Sequence, residues 1–187
     1  MNDMGRKQSK NLKENKILTI YTEGETERIY FSKIKSLLRK ANLKINITNS
    51  KGKSAQNLVD YAEKTEKKKS KKDKSDVVIL IFDKDENDLN EIQSVLNRKR
   101  VGFCNESFEL WLLLHYQEVK EELSREKLLK KLKEVNPNYE KTDERTIEEI
   151  AQLLDTAVNN SKKLFNKEFR KNPYCNIEKV IELLKEN

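Results

Sequence analysis

Residues 77–85 read Val-Val-Ile-Leu-Ile-Phe-Asp-Lys-Asp, and residues 16–27 read Lys-Ile-Leu-Thr-Ile-Tyr-Thr-Glu-Gly-Glu-Thr-Glu. Each is a short apolar run rich in β-branched residues that stops abruptly at carboxylates, as a strand does at the edge of a sheet. The run over 76–82 is almost wholly apolar, which is the pattern of a central strand covered on both faces. As neighbouring parallel strands, the two would bring Glu23, Asp83 and Asp85 together at the carboxyl edge of one sheet, where open α/β sheets place their ligands. Three acids converging there repel one another unless a cation lies between them, so the arrangement asks for a divalent metal.

Outward from these runs, strand and helix patterns alternate. Ile29, Tyr30, Ile34, Leu37 and Leu38 fall at helical spacing over 26–41, and 43–48 alternates as a more peripheral strand. Lys51-Gly52-Lys53-Ser54 is a turn, with Ser54 as N-cap of a helix carrying Leu58, Tyr61 and Ala62. That helix runs into the charged stretch 64–74, read as a solvated connector. A helix over 89–97 and a strand over 100–104 complete an alternation that predicts an α/β fold: a Rossmann-like, mostly parallel sheet of about four strands with helices on both faces. From Ser107 the pattern is helical, over 108–117, 124–135, 143–169 and 176–185. The predicted organisation is a flexible basic N-terminus over 1–15, an α/β core over 16–104, and a helical part over 105–187 packed on the same domain.

Composition narrows the chemistry. Of 187 residues, 38% are charged and 35% hydrophobic, so the apolar residues must be concentrated in the few segments above. The net charge of +7 favours an anionic partner such as nucleic acid. Two cysteines and one histidine cannot build a structural zinc site and do not resemble a disulfide framework. The polar N-terminus predicts neither a signal peptide nor an anchor, and no stretch is long and apolar enough for a membrane span; a cytoplasmic location is expected.

Several motifs compete for the acids. Asp83, Asp85 and Asn87 match the first ligands of a calcium loop, but position six is Asp88 where glycine is needed and position twelve is Ser94 where glutamate is needed. Neither phosphate-binding glycine pattern is present. The bland alternative is that Asp83 and Asp85 start a turn and cap the next helix. Gly24 after Glu23 suggests a sharp bend or close approach to a ligand, while Glu27 reads as a solvated first-turn acid. Glu109 lies inside the apolar segment Ser107-Phe-Glu-Leu-Trp-Leu-Leu-Leu-His115, where a carboxylate is costly unless paired with a lysine or bound to a cation. His115 reads as a satisfied buried histidine, and a Cys104/His115 dyad is unsupported. Between Ser161 and Tyr174, aromatics at core spacing interleave with Lys162, Lys163, Lys167, Arg170 and Lys171, which could track a phosphate backbone. Lys51 and Lys53 lie nearer the sheet edge.

Taken together, Thr-Glu-Gly-Glu-Thr-Glu at 22–27, Phe-Asp-Lys-Asp at 82–85, Asn-Glu-Ser-Phe-Glu-Leu-Trp-Leu-Leu-Leu-His at 105–115 and Asn-Pro-Tyr-Cys-Asn at 172–176 resemble the RloB family over nearly the whole chain. That family is regarded as a compact version of the Toprim fold. The resemblance implies a Toprim-type metal site with Glu23, Asp83 and Asp85 as ligands. Ser107 and Glu109 match a Ser-x-Glu element of related nucleases, and would complete a second metal position. It also implies Mg²⁺ or Mn²⁺ as cofactor, nucleic acid as substrate (DNA preferred, RNA possible), a role in phage defence, and a separately encoded ATPase partner. Lys53 would offset charge in the transition state. No topoisomerase-like domain fits in this length, which leaves metal-dependent phosphodiester hydrolysis as the expected activity. The alternatives are a non-catalytic module binding nucleic acid or the ATPase, and a nucleotide-handling phosphotransferase.

Overall fold

The computed structural model describes residues 16–47, 54–84 and 87–187. Among these, the elements run β1 (Leu18–Thr22), α1 (Glu25–Leu37), β2 (Leu43–Ile47), α2 (Ala55–Lys68), β3 (Val77–Asp83), α3 (Leu89–Arg98), β4 (Arg100–Asn105), α4 (Glu109–Leu114), α5 (Arg125–Val135), α6 (Glu144–Ala151), α7 (Leu154–Lys162), β5 (Tyr174–Cys175) and α8 (Ile177–Glu186). The sheet order is β2-β1-β3-β4-β5, parallel except for the antiparallel β4–β5 pair. This is an α/β fold of Rossmann-like arrangement, with helices on both faces of one sheet.

The two strand runs are neighbours, as their sequences predict. Thr22 pairs with Ile81, and the ladder continues one step further as Glu23 N–H donates to the Ile81 carbonyl. Strand alternation then divides the core. Leu18, Ile20, Ile79 and Ile81 face α1, α8 and the helical C-terminal part, whereas Tyr21, Leu80, Phe82 and Phe103 face α2 and α3. Gly102 lets α8 approach closely, since a β-carbon there would lie 2.6 Å from Ile81 Cδ1 and 2.7 Å from Ile177 Cδ1.

Four expectations change. The sheet has a fifth strand, β5, too short at two residues to leave a periodic signature. The single helix expected over 143–169 is two helices. Ile147 and Ile150 of α6 and Leu154 and Ala157 of α7 all enter the core, and the turn between the helices aims each pair. Beyond α7 the chain is irregular and pinned by side-chain amides: Asn172 Nδ2 donates to the Leu123 carbonyl at 2.8 Å, and Asn166 Nδ2 to the Asn172 carbonyl at 2.7 Å. Finally, the charged stretch 64–74, whose first residues belong to the last turn of α2, is not wholly solvated. Glu66 is buried and accepts hydrogen bonds from Tyr21 Oη at 2.6 Å and from the Ser75 backbone N–H at 3.1 Å, with Lys69 beside it. Burial resists ionisation of Glu66, but these donors outweigh it and hold its pKa down at about 2.

Ser54 caps α2 as expected, accepting from Asn57 N–H at 3.1 Å. Asn87 reinforces that end: its Oδ1 accepts from Ala55 N–H at 2.7 Å while its Nδ2 donates to the Asp83 carbonyl at 2.9 Å. The start of α2 is thereby tied to the carboxyl end of β3. No helix among the described residues is long and apolar enough to cross a membrane.

Candidate functional site

At the carboxyl edge of β1 and β3 lies a cavity of about 280 Å³, lined among the described residues by Glu23, Gly24, Glu25, Thr26, Glu27, Asp83, Phe108, Glu109, Arg125, Lys141 and Thr142. Three of the sequence-predicted residues, Glu23, Asp83 and Glu109, therefore line one cavity. Asp85 and Lys53, together with Lys51, lie outside the described residues. Ser107 is fully buried just ahead of α4 and is not among the lining residues.

Asp83 does not cap the following helix; that position belongs to Asp88, whose Oδ1 accepts from Asn90 N–H at 2.8 Å and Glu91 N–H at 3.1 Å. The Asp83 side chain instead crosses to the helical part of the chain. Its Oδ2 accepts from Phe108 N–H at 3.1 Å, and Arg125 Nη2 stands 3.6 Å away. The register explains this turn, because Asp83 continues the face of Ile79 and Ile81 that looks towards α1 and α4.

Glu109 is 4% exposed at the first position of α4, and Lys141 Nζ meets its Oε1 at 2.7 Å. Burial works against its charge, yet Lys141 and the nearby Ser107 hydroxyl prevail and keep the carboxyl below the usual glutamate range. The Ser107 contact falls short of an ordinary hydrogen bond, since that hydroxyl has none of regular geometry. The lysine arrives on a turn bent at Thr142, whose φ of 66° is a left-handed conformation uncommon for a β-branched residue.

Glu27 corrects its sequence reading: it is buried, not a solvated first-turn acid. Gly24 is extended, with φ −113°, so no left-handed bend requires glycine there. A β-carbon at Gly24 would lie 2.2 Å from Glu27 Oε2, so a larger residue there would displace the end of that side chain. The glycine makes room for a carboxylate to fold back over the start of α1. Glu25 is clamped by Arg28 across one turn, which lowers its pKa.

Sequence reasoning missed Arg125, Lys141 and Glu27. In so lysine-rich a chain nothing local distinguishes Lys141, whereas Gly24 three residues before Glu27 was a usable sign of crowding. His115 is the satisfied histidine expected. Its Nδ1 faces the Trp111 carbonyl at 3.0 Å and so carries the proton, leaving Nε2 to accept from Tyr30 Oη at 3.0 Å; burial lowers its pKa to about 4. The basic stretch 161–174 is largely spent within the fold: Lys162 pairs with Glu182, Lys163 with Glu118 and Lys171 with Glu168, while Arg170 donates to Asn90 Oδ1.

The cavity's chemistry suits a hard cation. Five carboxylates line it against two cationic side chains, and carboxylate oxygens are the ligands that Mg²⁺ and Mn²⁺ prefer. In the present arrangement, however, no three His, Cys, Asp or Glu side chains among the described residues are grouped closely enough to hold an ion. Arg125 and Lys141 stand beside Asp83 and Glu109 instead.

The family model for RloB-like proteins matches residues 18–184, from the first residue of β1 to within two residues of the end of α8. The chain belongs to the RloB-like family. The matched residues include both the acids at the strand ends and the cations of the helical part that line the cavity. No curated protein and no solved structure matches the chain.

Proposed function

We propose that this RloB-like protein is a metal-dependent nuclease, a Toprim-like effector that hydrolyses phosphodiester bonds, with DNA the preferred substrate and RNA possible. The observation that carries this reading is the convergence of Glu23, Asp83 and Glu109 in one cavity at the carboxyl edge of a parallel sheet, where such folds do their chemistry. Glu23, Asp83 and Glu109 would hold the ion, with Asp85 and Ser107 as further candidates for it. A bound Mg²⁺ or Mn²⁺ supplies a water of lowered pKa and positive charge against the scissile phosphate.

The chain's own side chains prepare the rest. Arg125 is 41% exposed in its side chain and Lys141 54%, so both can reach from the cavity wall towards an incoming phosphate. Asp83 is held in place by Phe108 N–H, which orients its carboxylate at the strand end. Phage defence alongside a separately encoded ATPase belongs to the same proposal.

The second reading, a non-catalytic module that binds nucleic acid or the ATPase, is favoured by the two ion pairs, which give Asp83 and Glu109 a cation each without metal. Cleavage of plasmid DNA and of RNA with Mg²⁺ or Mn²⁺ decides between them, comparing wild type with Glu23→Ala and Asp83→Ala. Loss of cleavage in both variants at unchanged melting temperature supports the nuclease. Salt-sensitive binding without turnover in wild type supports the module.

A further inference from the structure

Cys104 and Cys175 are directly opposed on β4 and β5, both buried, with their sulfur atoms 2.9 Å apart and no bond between them. The adjoining pair, Phe103 and Asn176, carries the ladder hydrogen bond, Asn176 N–H to the Phe103 carbonyl at 3.2 Å. Cys104 and Cys175 are therefore a non-hydrogen-bonded pair, the position in an antiparallel ladder where Cα atoms approach to about 4.5 Å. That separation lies within the span a disulfide bridges. A second cavity, of about 200 Å³, reaches the pair from outside and is lined by Cys175 but not Cys104, alongside Ser161, Lys162, Lys167, Asn176 and Lys179.

We propose that Cys104 and Cys175 form a reversible intramolecular disulfide on exposure to hydrogen peroxide. Cys175 reacts first because it lines the cavity by which a small oxidant can approach, and Cys104 does not. Its sulfur bonds to one peroxide oxygen, the O–O bond breaks, and the other oxygen leaves as water with the thiol proton, giving a sulfenic acid. The Cys104 sulfur then bonds to the Cys175 sulfur, the S–O bond breaks, and the hydroxide leaves with the Cys104 proton as a second water. Two thiols lose two electrons and two protons, and the peroxide is reduced to two waters. A small dithiol reverses the bridge.

The bridge would fasten β5, and the start of α8 behind it, to the strand whose Cys104 pairs with Asp83 in the sheet. It would also close a loop holding most of the helical part, and so would stabilise the fold against unfolding. None of this depends on the nuclease reading.

The test treats reduced, full-length protein with equimolar hydrogen peroxide, then denatures it in iodoacetamide and measures its mass. The expected product is two daltons lighter than reduced protein, takes up no alkyl group, and yields a linked peptide pair containing Cys104 and Cys175. Its melting temperature should rise by roughly 5 °C and fall back after dithiothreitol. Alkylation of both cysteines after peroxide treatment would overturn the proposal, as would a stable sulfinic acid at Cys175 or a disulfide between two chains.

Discussion

Replacing Lys141 with methionine tests whether the buried Glu109 depends on the cation beside it. At 2.7 Å and an effective dielectric constant of about 20, the pair carries roughly 6 kcal/mol of Coulomb energy. Water reaches the lysine, whose side chain is 54% exposed, and burying Glu109 has already consumed part of that gain, so the net loss at pH 7 should be about 2 kcal/mol. The pH dependence is more diagnostic. In the wild type Glu109 ionises more readily folded than unfolded, so its contribution is present above the unfolded pKa and is lost as pH falls through the folded value. Without Lys141 burial dominates, the folded pKa moves above the unfolded one, and the contribution reverses to favour low pH. The difference between the two proteins should therefore be small near pH 3 and grow through pH 4 to 6. Urea midpoints at constant m across that range measure it, and adding Glu109→Gln to the variant should restore most of the loss. A difference that stays flat with pH would show that Glu109 does not depend on Lys141 for its charge.

Two other buried groups make comparable predictions. Glu66→Gln should cost about 2 to 3 kcal/mol at pH 7 and remove the part of acid denaturation that falls between pH 4.5 and about 2, since a depressed carboxyl loses its contribution as pH drops through that window; urea titrations at several pH values check it. His115 stays neutral when folded down to about pH 4 but is protonated near 6.5 when unfolded, so it should make stability rise by up to about 3 kcal/mol between those values. Its ring resonances should titrate near pH 4 in the folded protein.

The architecture was legible where periodicity was strong. The runs at 18–22 and 77–83 fixed two adjacent parallel strands, because nearly continuous β-branched sequence has few other ways to be buried. Ser54 marked the start of α2, and Glu109 announced itself as a carboxylate in an apolar segment. Two-residue β5 left no period to read, and the break between α6 and α7 follows from which core each half must enter, which is tertiary information. The cations of the cavity were illegible for the same reason. Lys141 is one of many lysines, and only the folding of the α5–α6 connection against α4 selects it.

That division has a consequence for how the site exists at all. Glu23 and Asp83 come from strand ends, but the contacts that restrain Asp83 and Glu109 come from Phe108, Arg125 and Lys141. The acids of the sheet edge would repel one another without those partners. Packing of the helical part onto the sheet therefore does more than bury Leu110, Leu112 and Ile147: it sets a cation beside Asp83 at the strand end and another beside Glu109. A metal ion entering the cavity would compete with Arg125 and Lys141 for the oxygens of Asp83 and Glu109, whereas a phosphate would compete with those carboxylates for the two cations. Either ligand would loosen the Arg125–Asp83 or Lys141–Glu109 contact, and those two cations are carried by α5 and by the turn before α6.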